Sequence, residues 1–552
     1  MGSNILRIRS LPGHKVFPLI WIGWSLTLLF LQIVNIFLPL NAYISIPVLV
    51  FGLFSAFLFF KKELSTGTLA SLPRVYLVLL GILTVWIAFL SMSSAANYDS
   101  GLYHFNSIRW LNESPIVLGL GNLHGRLAFN QSFFAFVAYL NIFPLFEHGY
   151  NFANSFLLLT VLAECLFYLS GSISQKVRIK DAPVFNIMAV IFIPLLIYLA
   201  MDPNLSSPEP NLTSFILNIL LFIYFIRFLE QSSSHLASIS QAMLFFLISA
   251  TAITVKLSNL FYVLSLCLIL IFIARKSLFE SPKQVISVLV KLLAVPALII
   301  FTWCLRGFML SGCPAYPSTI GCIKFHWSVP LQSVKSEADW IYSFARDPNL
   351  TPGVVLSSWD WLSPWFSRVI RPNFLSVVYP LITYLVAVLV AFLLYVRQPS
   401  SRKIFWNGFF VSLPILTGLL SWFLLAPDLH FANSLFWILP VSAGYMILKK
   451  LSSLGKLNNA IIIVLFILLN ANITSLILKE PGKIVHLSTE GYLPIKAVNY
   501  VTRTTKTGLE ILTPVEGDQC WDSSIPCTPD FTNKLKFKDR LFFPEFSLRS
   551  FK

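Results

Sequence analysis

FLSVVYPLITYLVAVLVAFLLYV, residues 374–396, runs for 23 residues without a charged side chain. About 20 apolar residues suffice for a helix to cross the hydrocarbon core of a bilayer, so this stretch reads as a transmembrane helix. The same reading extends along most of the chain. Candidate spans lie near 18–38, 44–60, 74–92, 131–146, 152–170, 184–200, 213–229, 238–254, 259–274, 285–304, 374–396, 404–425, 432–448 and 459–478. Of these, 131–146 is the weakest, because Gln131, Asn141 and Pro144 interrupt it. It is expected to be re-entrant or interfacial. The expected fold is an all-α polytopic membrane protein of about thirteen transmembrane helices, with interfacial helices and outward-facing loops. Residues 1–478 would form the membrane domain and 479–552 a small extracytoplasmic segment.

Composition agrees. Of 552 residues, 56% are hydrophobic and 12% charged, against roughly 25% charged in a soluble domain. The net charge of +16 does not imply nucleic acid, because the bases sit in short gaps between apolar runs, where they act as topology signals. Arg7, Arg9 and Lys15 precede an apolar run that continues to Leu38 without a small-residue cleavage site. That run reads as a first span, not a removed signal.

Orientation follows from the short basic gaps. Lys61, Lys62 and Arg74; Lys176, Arg178 and Lys180; Arg275, Lys276 and Lys283; Arg397, Arg402 and Lys403; and Lys449, Lys450 and Lys456 form one set. They alternate with gaps that carry no Lys or Arg, such as 39–43, 201–212 and 426–431. By the positive-inside rule the basic set is cytoplasmic. The N-terminus is then inside and, with thirteen spans, the C-terminus outside. Three long segments face out: 93–130, the Trp-rich 305–373, and 479–552. Cys313 and Cys322, and Cys520 and Cys527, fall in these outer segments. Two local disulfides suit an oxidising compartment. Zinc is the competing reading, although the spacings match no standard zinc pattern.

The first outer loop is the densest polar constellation. Asp99 follows a span closely, and Leu102, Phe105, Ile108 and Leu111 recur at helical spacing, as in an amphipathic helix lying in the interface. His104 lies within it. Asn122, His124 and Arg126 then cluster among glycines, which let backbone approach a ligand. Asp99 is either a chemical group or the cap of the following helix. Asp202 and Glu209 occupy another outer loop, where a solvated turn is the plainer reading. Lys256 sits in a tight turn between two apolar spans; an ionisable group at that depth is a functional candidate unless it snorkels to the headgroups. Arg306 leads from a span into an outer loop and would pair with Lys256 to hold a lipid-linked phosphate. Asp428 and His430 share a short outer loop. There is no Walker phosphate loop and no His-Glu-x-x-His motif.

This arrangement resembles the GT-C superfamily of polytopic glycosyltransferases. In that superfamily a first large outer loop carries an essential Asp just after a span, followed by amphipathic juxtamembrane helices. Tyr98-Asp99 and the 102–113 helix match that plan, and Lys256 looks like the Lys with which some members bind polyprenyl phosphate. The departure is an additional N-terminal hairpin, 18–60. The chain also resembles a family of uncharacterised bacterial membrane proteins. The matching pieces are YDSGLYH from Tyr98, GNLH from Gly121, SGCPAYPST from Ser311, WSVP from Trp327, PDLHF from Pro427 and CWDSSIPCTP from Cys520. Where such relatives often have Arg, this chain has His430.

The resemblance implies a bacterial inner-membrane glycosyltransferase, inverting in mechanism, that uses a polyprenyl-phosphate sugar at the periplasmic face. Asp99 would be the general base, Lys256 and Arg306 would stabilise the leaving phosphate, and Asp202 and His124 would position acceptor or sugar. The acceptor is a lipid, a glycan or a protein. No particular cofactor is indicated, and a divalent metal is left open. The bilayer is the other expected partner; nucleic acid is not. The alternative is a lipid or polysaccharide transporter or flippase, which would place polar residues inside the spans around a central cavity.

Overall fold

The computed structural model describes residues 16–65, 73–141, 145, 147–174, 184–231, 235–278, 285–396, 402–479, 481–482, 495–539 and 543–548. Among these, nine helices are long and apolar enough to cross a membrane. They are Val16–Asn35, Ala42–Lys61, Arg74–Ser91, Gly149–Ser170, Pro210–Glu230, Ser238–Val255, Val285–Ser311, Phe374–Tyr395 and Asn459–Lys479. The protein is therefore a multi-pass membrane protein. Three further candidate spans fall on shorter apolar stretches, Val184–Ala200, Leu257–Ile273 and Phe409–Leu425. Another falls on Asn433–Ser453, a helix buried over most of its length. Of the basic residues that set the orientation, Lys176, Arg178, Lys180, Lys283 and Arg397 lie outside the described residues.

The weak candidate 131–146 contains the helix Phe133–Leu140. Its eight residues rise about 12 Å, too short for a bilayer core of about 30 Å. Residues 142–144 and 146 lie outside the described set. Hydropathy alone does not place a helix in the bundle. Ala42–Lys61 and Pro210–Glu230 are about equally apolar, yet 6% of the first and 94% of the second is buried in protein. A helix apolar all round is surrounded either by lipid or by other helices. Pro210–Gln231 is one of the central ones, and it brings polar partners inside. Glu164, on Gly149–Ser174, is buried and accepts hydrogen bonds from Trp21 Nε1 at 3.0 Å and Tyr224 Oη at 2.9 Å. With no water in a bilayer core, such groups must satisfy one another.

Two expectations are corrected. The helix Phe105–Glu113 forms as its spacing predicts, but its apolar face does not lie in lipid. Phe105, Ile108 and Trp110 are buried. The Phe105 ring meets Tyr150 and Trp521, and the Trp110 ring meets Phe546. Helical periodicity marks a face to be covered, and protein covers it as well as lipid does. The second correction concerns the all-α class. The C-terminal segment forms two antiparallel strand pairs, Tyr500–Thr504 with Glu510–Pro514 and Leu535–Lys538 with Glu545–Leu548.

This β segment docks on the first loop, 93–130. Trp521 N–H donates to Gly101 O at 2.7 Å, Phe546 N–H to Leu118 O and Leu118 N–H to Pro544 O, each at 2.8 Å. Arg109 pairs with Asp522, and Thr528 Oγ1 donates to Leu123 O. Both disulfides are present, Cys313–Cys322 and Cys520–Cys527. The second closes the loop that carries Trp521 onto Gly101. Gly119 has φ +65°, and a Cβ there would strike the carbonyl oxygens of Trp327 and Phe546. The 93–130 loop, the 305–373 segment and the C-terminal strands therefore meet at one glycine.

A Cβ at Gly101 would lie 2.5 Å from the Trp521 indole. We expect Gly101→Ala to loosen the docking of the 520–527 loop at a cost of about 1–3 kcal/mol. Hydrogen exchange should rise across 515–530 while the apolar helices keep their protection. Unchanged protection at Trp521 would show that the contact adapts without loss.

Candidate functional site

Asp99 follows the helix Arg74–Ser91 and opens the helical turn Ser100–His104. It stands where a cap would stand, but its side chain makes no cap bond. Its Oδ1 instead takes Arg126 Nη1 at 3.0 Å, and the carboxylate is 41% exposed. Arg126 also lies 3.7 Å from Glu337 Oε1 and stacks 4.6 Å from the Trp340 ring centre. The sequence therefore brings an acid and a base 27 residues apart into a partly open ion pair.

Two residues before Asp99, Asn97 Nδ2 donates to Glu209 Oε2 at 2.6 Å. Asn211 donates to the same oxygen at 3.0 Å. Lys256 Nζ donates to Asn211 Oδ1 and, at 3.0 Å, to the His430 carbonyl. It also lies 4.7 Å from the Phe431 ring centre. His430 Nδ1 meets Asp428 Oδ1 at 2.6 Å. Segments 97–99, 209–211, 256 and 428–430 thus converge. Beside them lies a cavity of about 350 Å³ whose walls include Asp202, Glu209, Asn211, Arg368, Asp428 and His430.

Burial sets the protonation states here. It pushes the Glu209 carboxyl up to about 7, helped by Asp202 and opposed by Lys256. It brings the Lys256 ammonium down to about 8, opposed by Glu209, Asp428 and Asp99. The hydrogen bond that His430 donates to Asp428 raises the His430 imidazole above its ordinary value. Burial pushes Asp428 up, but the bonds and charge of His430 outweigh it and hold the carboxyl low. The site therefore holds a hydrogen-bonded Asp428–His430 pair, in which each partner favours the charged form of the other, beside Glu209 and Lys256, whose charged forms burial disfavours.

The remaining sequence candidates go elsewhere. Asp202 caps its own turn, accepting from Asn204 N–H at 2.8 Å, while still lining the cavity. His104 is a core residue, 2% exposed. Its ring packs on Tyr103 and Phe134, and burial, with the charges of Lys256 and Arg126, lowers it to about 3. Asn122 Nδ2 donates to Trp327 O at 2.7 Å and ties loops together. His124 is buried 3.7 Å from Asp530, and burial lowers it to about 4 despite that neighbour. The expected Lys256–Arg306 pair does not form. Arg306 lies within the helix Val285–Ser311, not beyond its end, and bonds to Gln32 O, Asn35 and Asn130 beside a different cavity.

Sequence reasoning missed Arg368 and Glu337. Both lie in the 305–373 segment, whose charges carry no topological signal. The available hint for Arg368 was its position just before the 374–396 span. No group of three His, Cys, Asp or Glu side chains among the described residues could hold the divalent metal that the sequence leaves open.

A family model described as a domain of unknown function, DUF8201, matches residues 1–437. The chain belongs to that family. No curated protein and no solved structure matches it. The DUF8201 match includes Asp99, Arg126, Glu209, Lys256, Arg368, Asp428 and His430, and so covers the whole site. It stops short of the strands that dock on the first loop.

The high Glu209 value has a consequence for stability. Between its ordinary value of 4.5 and about 7, the unfolded chain has lost this proton while the folded chain keeps it. Stability from this group is therefore present below about 4.5 and lost as pH rises through about 7. We expect the thermal midpoint of the purified protein to fall across that window and Glu209→Gln to flatten the fall. An equal slope in the variant would show that Glu209 is ionised throughout.

Proposed function

We propose that this chain is a membrane glycosyltransferase that moves a sugar from a polyprenyl-phosphate donor to an acceptor hydroxyl. The acceptor belongs to a lipid, a glycan or a protein. In this reading the chain crosses a bacterial inner membrane thirteen times, with its N-terminus cytoplasmic and its C-terminus and site periplasmic. What supports that topology is the docking of the C-terminal segment on the first loop, since the topology needs both on the same side.

The observation that carries the reading is the side chain of Asp99. It caps nothing, stays partly open, and is held by Arg126 beside the network of Lys256 and the 350 Å³ cavity. A pocket of that size falls within the range of small-molecule sites. In the reaction the acceptor oxygen attacks the anomeric carbon and the bond from that carbon to the phosphate oxygen breaks. Asp99 takes the hydroxyl proton, and the phosphate leaves with the bonding electrons. The ion pair with Arg126 fixes the position of Asp99. Lys256 and Arg368 offer positive charge to the leaving phosphate, Arg368 taking the part first expected of Arg306. Asp202, Glu209 and His430 line the space for sugar hydroxyls.

Asp99→Asn keeps the shape of the side chain but cannot accept the proton. Turnover should fall on the order of a hundredfold or more at unchanged expression and thermal midpoint. Lys256→Ala should weaken donor binding more than it slows the bound complex. Transfer rate and donor affinity, measured with polyprenyl-phosphate sugars, check both. Wild-type turnover in Asp99→Asn overturns the catalytic assignment.

A further inference from the structure

A second cavity, of about 50 Å³, lies between the ends of Val16–Asn35 and Val285–Ser311, lined in part by Asn35, Ser107, Trp110, Asn130 and Arg306. Arg306 is 5% exposed. Its Nε donates to Asn130 Oδ1 at 3.3 Å, and its Nη1 to Gln32 O at 3.2 Å and Asn35 Oδ1 at 3.0 Å. All three acceptors are neutral. Among the described residues no carboxylate pairs with Arg306 and its Nη2 has no acceptor. A guanidinium has five N–H donors, and the two on Nη2 are left over. A buried charge with dipoles but no counter-ion is expensive, and an anion in the adjoining cavity would offset that cost.

Size and surroundings narrow the ligand. One water needs about 10–15 Å³ of such space, so the cavity admits the end of an oxyanion and not a sugar ring. Arg306 is five residues from the end of its helix at Ser311, or about 7.5 Å, a depth suited to lipid headgroups. Phe301 and Leu305 on one helix, and Ile33 and Phe37 at the end of the other, are exposed apolar side chains, a surface for acyl chains. We propose that Arg306 binds a phosphate oxyanion, supplied by a phospholipid headgroup or as free phosphate, at a site separate from the Lys256 cavity. This site does not depend on the transferase reading.

The test uses the full chain in a neutral maltoside detergent, titrated with dioctanoyl phosphatidylglycerol or with inorganic phosphate while the thermal midpoint is followed. We expect a saturable rise on the order of 2 °C with at least one probe. Saturation at lower concentration by the lipid identifies a headgroup as the source; saturation by phosphate alone identifies the free anion. Arg306→Met should abolish the rise. Ser107→Leu should also abolish it by filling the cavity while leaving the bonds of Arg306 intact, so the test survives if Arg306→Met does not fold. No rise with either probe in the native protein, or a rise that Ser107→Leu leaves unchanged, overturns the proposal.

Discussion

The Lys256 ammonium is 7% exposed, at a turn between apolar helices, and an ammonium there must be surrounded by oxygen. Its own segment supplies none of what the side chain uses. Asn211 comes from the first turn of the helix Pro210–Gln231 and the His430 carbonyl from another connection, and Glu209 brings in Asn97 from a third segment. Satisfying one cation thus draws four distant segments together. Asp99, two residues beyond Asn97, is placed by the same requirement. The cavity is what remains between those segments once their polar groups are paired.

The positions of the apolar helices were readable because a bilayer imposes one length and one composition. What surrounds each helix was not, since Ala42–Lys61 and Pro210–Glu230 carry nearly equal hydropathy and opposite burial. The same ambiguity explains the helix Phe105–Glu113, whose apolar stripe met Trp521 and Phe546 instead of lipid. The strands of the C-terminal segment were missed because they are four or five residues long, within a stretch read only as polar and basic.

At the site, the candidates that held together were charged residues at helix ends: Asp99, Arg126, Glu209, Lys256, Asp428 and His430. Charge in the connections between apolar spans made them conspicuous, and for Lys256 the tightness of the turn did so. His104, Asn122 and Arg306 looked equally conspicuous but make their contacts away from this cavity, and residue type alone does not separate those cases. Glu164 went unremarked because one acid among apolar residues gives no pattern; its partners Trp21 and Tyr224 lie 143 and 60 residues away. The C-terminal segment adds a further constraint. It holds Tyr98 and Gly101, on either side of Asp99, through Gln519 and Trp521, although it lies beyond the family match.

The central claim is that the space beside Lys256 receives a lipid-linked phosphate. An electron cryo-microscopy structure of the full chain in nanodiscs with a polyprenyl phosphate tests it directly. The account predicts phosphate density in the cavity walled by Glu209, Arg368 and His430, within hydrogen-bond reach of Lys256 or Arg368. Phosphate bound at the opposite ends of the helices, with that cavity holding only solvent, would contradict it.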